Sequence, residues 1–328
     1  MAECLDSVVN QTMQDIQIIC VNDGSTDNSL AILQEYADRD SRIEIIDKPN
    51  GGLSSARNAA YPHIRGKYTL FVDSDDWIEL DLCEKTYSKA EETGAQMTMF
   101  HFQHMRKNTS MKMPKGITPG EKTTIAEKEP LLKFAYVWSK LFRTDFLLEK
   151  ELYFLEGLVY EDIPFHWKAV VLADRITLLP ELLYHYRYHA LSIVNRVGKH
   201  HFDGVSIYSQ VERFLKKSGH YSLYKEEYHR RKLELFVGLY KNCPAEFQQE
   251  FRALILENLS EDDREFYRTA PKSLVPKHIK LFYEMIDGGF KEAVIYQVSL
   301  AMDSTIKFPE RFLRHWLIKP LKRRLKAA

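Results

Sequence analysis

The sequence predicts an α/β protein: a sheet built from βαβ units and flanked by helices, followed by a C-terminal helical region. Three observations carry this. Short apolar runs alternate with helix-period patterns over the first hundred residues, the rhythm that βαβ units produce. Groups of Asp, Asn, Gly and Ser close several of those runs, where turns need them. Beyond His200, Tyr, Phe and Leu recur at helical spacing with few strand-like runs, which marks a helical extension. The division expected is a sheet domain over 1–195 and a helical region over 196–328.

Taken in order, IQIICV (16–21) reads as a buried strand, NDGSTD as the turn after it, and SLAILQEYA as an amphipathic helix capped among Asp27, Asn28 and Ser29. RIEII (42–46) is the second strand. KPNGGLSSARNAA turns through Gly51 and Gly52 into a helix, and KYTLFV (67–72) is a third strand that ends on acidic residues. Residues 80–92 read as a helix and QMTMFHF (96–102) as a strand; the Lys-rich, Pro- and Gly-containing stretch from about 107 to 129 reads as a surface hairpin or loop. VWSKLF, GLVYEDIPFHWKAVVLAD and RITLLPELLYHYRYH return to strand and helix and finish near His189. No internal repeat or low-complexity segment interrupts the chain.

The 328 residues are 45% hydrophobic and 28% charged, the balance of a globular chain with enough length for a substantial core. Forty-six Lys and Arg offset 46 Asp and Glu, so no overall field favours a polyanion and a nucleic-acid partner is not expected. Cys4, Cys20, Cys83 and Cys243 form no CxxC pair. Neither a zinc site nor a disulfide framework is indicated, and the reducing cytoplasm is the default compartment. No apolar stretch approaches the roughly 20 residues that span a bilayer, and the N-terminus lacks a basic region followed by an apolar core. A soluble or peripheral protein is expected.

Open α/β sheets bind ligands at the carboxyl ends of their strands, and Asp23 and Asp73 both stand there. Turn and capping chemistry accounts for NDGSTDNS on its own. In LFVDSDDWIE the acids Asp73, Asp75 and Asp76 ask for more. Like charges so close raise one another's pKa, and a divalent cation that prefers hard oxygen ligands, magnesium or manganese, relieves them. The alternative is a solvated helix N-terminus. An EF-hand loop fails because Trp77 and Ile78 occupy its fifth and sixth positions. A D-x-D-x-[TV] phosphatase pattern is weak, with Trp77 in the Thr/Val position. No Walker A or GxGxxG sequence is present. In YEDIPF, Glu161 and Asp162 precede an apolar helix. A helix cap explains them, and so does a general base kept apart from metal ligands, with Asp162 in that role. YHYRYHALSI sets Arg187 among Tyr184, Tyr186, Tyr188 and His189, where a guanidinium would meet a diphosphate; aromatic packing explains the tyrosines equally well.

In this order, CLDSVVNQT, IICVNDGSTDNS, NGGLSSARN, YTLFVDSDDWIE, VWSKLF, GLVYEDIPF and YRYHALSI resemble the family 2 glycosyltransferases, and above all the bacterial capsule and exopolysaccharide enzymes of the GT-A fold. The resemblance runs from about Glu3 to Asn195. It implies a mixed nucleotide-diphospho-sugar transferase sheet, a nucleotide-sugar donor (in the first place a UDP-sugar), Mn2+ or Mg2+, and inversion at the anomeric carbon. The acceptor implied is a glycan or a lipid-linked sugar in cell-surface polysaccharide synthesis. By motif, Asp23 matches the nucleobase contact, Asp73 and Asp75 the DxD that meets ribose and metal, Arg57 a position near the donor, and Asp162 the catalytic base. Arg187 is the diphosphate contact proposed above.

Two departures stand out. Ser139 in VWSK replaces the Asn of many relatives, and the strand of the type VSVIIPVYN that opens family members is absent before AECLDSVVNQT. That strand would lie between IQIICV and KYTLFV, and its loss would leave backbone groups unpaired. A truncated gene product, a misassigned start or a degenerate enzyme is therefore expected, and a non-catalytic remnant or scaffold subunit of the same fold is the rival reading. The tail FPERFLRHWLIKPLKRRLKAA mixes apolar and basic residues; it suits peripheral contact with the anionic inner face of the plasma membrane as well as a helix packed on the domain.

Overall fold

Polar side chains decide where the first strands end. The computed structural model describes residues 1–105, 109–111, 120–188 and 202–288. After α1 (Ala2–Val9) come β1 (Ile18–Asp23), α2 (Ser29–Ala37), β2 (Ile43–Lys48) and α3 (Gly52–Ala60). β1 and β2 run parallel, from Ile18 opposite Ile43 to Asp23 opposite Lys48. The ladder thus reaches two residues beyond the apolar run IQIICV, because Asn22 Nδ2 donates to Asp47 Oδ1 at 2.7 Å and Lys48 Nζ to Asp23 Oδ1 at 2.6 Å. Cross-strand polar pairs of this kind prolong a ladder without apolar residues.

Next follow β3 (Tyr68–Leu70), β4 (Trp77–Ile78), α4 (Leu82–Thr93), β5 (Met97–His104), β6 (Thr109–Met111), β7 (Gly120–Lys122) and α5 (Ile125–Lys128). β8 (Lys140–Arg143), α6 (Thr144–Glu149), α7 (Asp162–Leu172) and β9 (Ile176–Tyr186) complete the sheet region. The seven-stranded sheet has the order β3-β8-β5-β9-β4, with β6 on β5 and β7 on β9. It is mixed: β5 and β9 are parallel, and the other pairings are antiparallel. Among the described residues β1 pairs only with β2 and β3 only with β8, so the two ladders are separate sheets.

In the stretch from about 107 to 129, expected as a surface hairpin or loop, the described parts give a hairpin of β5 with β6 and more besides. Residues 109–111 pair with β5, 120–122 pair with β9, and Thr124 opens α5 through a reciprocal capping box with Glu127. Edge pairing of this sort needs no apolar alternation, so the sequence carries no sign of it. Pro180 interrupts β9: Leu179 faces Phe100 and Leu182 faces His101, which leaves Pro180 and Glu181 in a bulge. A proline without an N–H is accommodated there. Behind the sheet, Phe154 stacks on Phe165 at 4.2 Å, and both meet Phe71 edge-on. Burying each such side chain contributes about 1.5–3 kcal/mol.

The chain divides into two compact units, Met1–Arg196 with Ile207–Tyr224, and Val197–Ser206 with Lys225–Ala328. Of the remaining helices, α8 (Asp203–Lys217) and α9 (Tyr221–Asn242) each contribute to both, while α10 (Gln248–Asn258), α11 (Glu261–Thr269) and α12 (Lys277–Gly288) belong to the second. Its interior holds Phe251, Ile255, Tyr267, Phe282, Tyr283 and Ile286. No helix among the described residues is long and apolar enough to cross a membrane. The basic tail 309–328 lies outside the described residues.

Candidate active site

The turn after β3 begins the site. Asp76 N–H donates to Asp73 O at 3.1 Å and closes a tight turn with Ser74 and Asp75 at its exposed tip. Tyr184 of β9 clamps it from beneath, accepting from Asp73 N–H at 3.2 Å and donating to Asp76 Oδ2 at 2.7 Å. Asp76 Oδ1 takes the Arg187 N–H at 2.7 Å. Burial pushes the Asp76 carboxyl up to about 7, against the pull of the Arg187 and Tyr184 hydrogen bonds. Asp76 is therefore spent on shaping the turn, while Asp73 and Asp75 remain partly or fully exposed.

Helix α3 brings the counter-charge. Arg57 is buried, with 8% of its side chain exposed, and its Nη2 donates to Asp73 Oδ1 at 2.9 Å. Nη1 donates to Asp162 Oδ1 at 2.7 Å and to Glu161 Oε1 at 3.0 Å. The guanidinium lies 5.0 Å above the Phe154 ring, a favourable cation–π position. The next residue, Asn58, fixes that ring's backbone by donating to Phe154 O and accepting from Phe154 N–H, each at 2.9 Å. Adjacent residues on one helix thus hold the charge and its aromatic floor. Burial opposes the Arg57 charge, but Asp162, Asp73 and Glu161 outweigh it and hold the guanidinium protonated.

Glu161 and Asp162 arrive through a turn in which Gly157 and Tyr160 have φ of 77° and 70°. The left-handed region suits glycine; Tyr160 there is backbone strain beside an acidic pair. Asp162 Oδ2 accepts the Val137 N–H at 3.3 Å. Burial raises the Asp162 carboxyl, as does the nearby Asp73, while Arg57 lowers it. Glu161 is pushed up to about 7 by burial and by Asp162. Asp162 keeps 21% of its side chain exposed and Asp73 25%, so both remain reachable from solvent around the buried Arg57.

The structure thus joins Arg57, Asp73 and Asp162 in one cluster and adds Glu161. Asp23 is not hydrogen-bonded into it. Its Oδ1 accepts Lys48 Nζ and Gly51 N–H, and its Oδ2 accepts Gly52 N–H at 2.7 Å, so the carboxylate caps α3. Burial opposes ionisation, yet these bonds together hold Asp23 below the ordinary carboxylate range. Gly24 is required beside it, with φ +67° and Asn50 N only 2.7 Å from where a Cβ would stand. Arg187 sits over the Trp77 ring at 4.6 Å and pairs with Glu3; its buried Nε has no hydrogen-bond partner among the described residues.

In the sequence Glu161 has no role beyond that of a helix cap, and neither Tyr184 as a clamp nor Lys140 as part of the site shows there. A signal existed for Lys140, a lone cation inside the apolar run VWSKLF. As for a metal, the DSDD oxygens have the right hardness. No group of three or more metal-competent side chains converges among the described residues, so the protein would supply one or two carboxylates and leave most of the shell to phosphate and water.

The family model described as Glycosyl transferase family 2 matches residues 1–149. EpsH of Bacillus subtilis (strain 168), named as a glycosyltransferase, is 35% identical over 250 residues, 73% of this chain and 70% of EpsH. EpsJ of the same organism is 37% identical over 193 residues, 56% of each chain, so the chain spans about half of that relative. Staphylococcus aureus TarS, residues 1–349 in complex with UDP-GlcNAc, shares the fold with a TM-score of 0.57 at 18% identity, over 81% of this chain and 87% of that one.

Proposed function

The chain belongs to glycosyltransferase family 2, and from that premise we propose that it moves a sugar from a nucleotide-sugar, a UDP-sugar in the first place, to a hydroxyl of a glycan or lipid-linked acceptor. The setting belonging to this proposal is cell-surface polysaccharide synthesis at the cytoplasmic face of the membrane. One observation carries the reading: Arg57 gathers Asp73 from the DSDD turn and Asp162 from the YED turn at a single guanidinium.

Asp162, a carboxylate made more basic by burial, takes the proton of the acceptor hydroxyl. The hydroxyl oxygen attacks the anomeric carbon as the bond to the diphosphate oxygen breaks, and the nucleoside diphosphate leaves with the electron pair. A single displacement of this kind inverts the carbon. A Mn2+ or Mg2+ ion held by Asp73 and Asp75 would supply Lewis-acid stabilisation of the leaving diphosphate. Arg187 would offer its guanidinium to the same oxygens. Asp23 Oδ2 carries a single donor, from Gly52, which leaves a lone pair for a nucleobase N–H.

Calorimetric titration of UDP, with manganese and with EDTA, tests this on the wild type and on Asp75→Asn. Saturable binding that needs manganese and falls about tenfold or more in the variant is expected, followed by turnover of one of a panel of UDP-sugars. A folded chain that binds UDP but turns over no donor with any glycan acceptor would return the non-catalytic reading.

A further inference from the structure

Lys140 of β8 is fully buried. It forms no salt bridge among those resolved in the described residues; its ammonium instead donates to Phe134 O at 2.7 Å, to Tyr136 O, and to Ser139 Oγ at 3.3 Å. Ser139 Oγ in turn donates to Tyr136 O at 2.8 Å. Three protons therefore meet three oxygens, the full complement of a lysine ammonium, and all three oxygens belong to the turn over residues 134–139. That turn carries the Val137 N–H that binds Asp162 Oδ2. A strand lysine that only filled space would cost desolvation for no return, and an apolar residue would be buried there more cheaply.

We propose that Lys140 is a positioning residue: it locks the 134–139 turn so that the Val137 amide holds one oxygen of Asp162 while Arg57 holds the other. This rests on the reading of Asp162 as the base. The carboxylate is then fixed at both oxygens, with its remaining lone pairs directed to an incoming hydroxyl. The charged groups around Asp162 are Arg57 from α3, Asp73 from the turn after β3, Glu161 beside it, and Lys140 from β8. Behind Lys140, His166 of α7 is buried and kept neutral by burial and by Lys140, with Nε2 bonded to Leu131 O at 2.9 Å. Burial pulls the Lys140 amine down to about 7, with Asp162 opposing the fall, so below that pH Lys140 is a cation close enough to favour the ionised form of Asp162.

Lys140→Met and the milder Ser139→Ala, which removes one of the three oxygens, test the proposal in the full chain. Expected are Val137 amide exchange faster by about tenfold or more in Lys140→Met and less in Ser139→Ala. UDP affinity should stay within about twofold of wild type, and kcat for the UDP-sugar turned over should fall roughly 10- to 100-fold with donor KM nearly unchanged. The Asp162 side-chain carbon, followed by NMR, should titrate at higher pH once the cation is gone. A merely structural lysine would move stability but leave that titration in place. Unchanged Val137 exchange and unchanged Asp162 titration overturn the inference whatever the activity. A wild type inert toward every UDP-sugar, with both readouts shifted as expected, overturns the functional reading and leaves the positioning role standing.

Discussion

Arg57 faces three carboxylates with one positive charge, and the imbalance has a measurable consequence at Glu161. Its folded pKa, near 7 through burial and Asp162, lies above the unfolded value, so the folded state binds the extra proton. Stability from this group is complete at low pH and is lost as pH rises through about 7. Glu161→Gln keeps the oxygen that accepts from Arg57 and cannot ionise. It should exceed the wild type in stability by on the order of 1–3 kcal/mol at pH 8, with the gap closing toward pH 5. Denaturant titrations at the two pH values check this, and a variant less stable at pH 8 would mean that the Glu161 charge is needed. None of this was legible in the sequence. Arg57 and Asp162 are 105 positions apart, and YEDIPF reads equally as a helix cap or as the carrier of a general base, with no sign that Glu161 and Asp162 share the Arg57 guanidinium. Lys140 showed only as a lone cation in an apolar run, because two of its three partners are carbonyls and carbonyls leave no trace in a sequence.

Elements were more legible where periodicity carried them and less where pairing did. β1, α2, β2 and α3 follow from apolar runs and Gly or Asn turns, whereas β4 has two residues and exists only because Trp77 and Ile78 find His185 and Tyr184. A strand that short has no period. α11 shows the same contrast. Its start is local, Ser260 and Asp263 forming a reciprocal capping box, but its anchor is not: the fully buried Asp263 also binds His229 Nδ1 and Lys232 Nζ, each at 2.6 Å. Burial opposes the Asp263 charge, yet His229 and Lys232 hold its carboxyl down to about 2. Its stabilisation is therefore present above the unfolded carboxylate range and is lost only as pH falls toward 2. Asp263→Asn should destabilise the helical unit by about 3–5 kcal/mol at neutral pH, since it strands a buried lysine. Ser260→Ala should cost only about 1 kcal/mol. Equal losses in the two variants, read by urea denaturation, would show that the cap and not the ion pair secures α11.

At the scale of the whole molecule, 46 basic and 46 acidic residues cancel, so an anionic donor feels no long-range attraction and meets only the local field. At the candidate site that field is acidic: Asp73, Asp75, Glu161 and Asp162 stand against Arg57, whose charge is already shared among three of them. Under the proposed function, a bare diphosphate approaching the DSDD turn would be repelled, and a divalent cation would reverse the sign. Salt separates the two cases, because the screening length shrinks from about 10 Å at 0.1 M to about 3 Å at 1 M. In EDTA, raising the salt concentration should leave UDP affinity unchanged or improve it, since repulsion is what is screened. With manganese present the same change should weaken binding, since attraction is screened. Calorimetric titrations of UDP at low and high sodium chloride, each with and without manganese, decide the matter. Equal weakening by salt in both series would mean that Lys48 and Arg187 outweigh the acids, so that the diphosphate is held by cationic side chains without needing a metal at the DSDD turn.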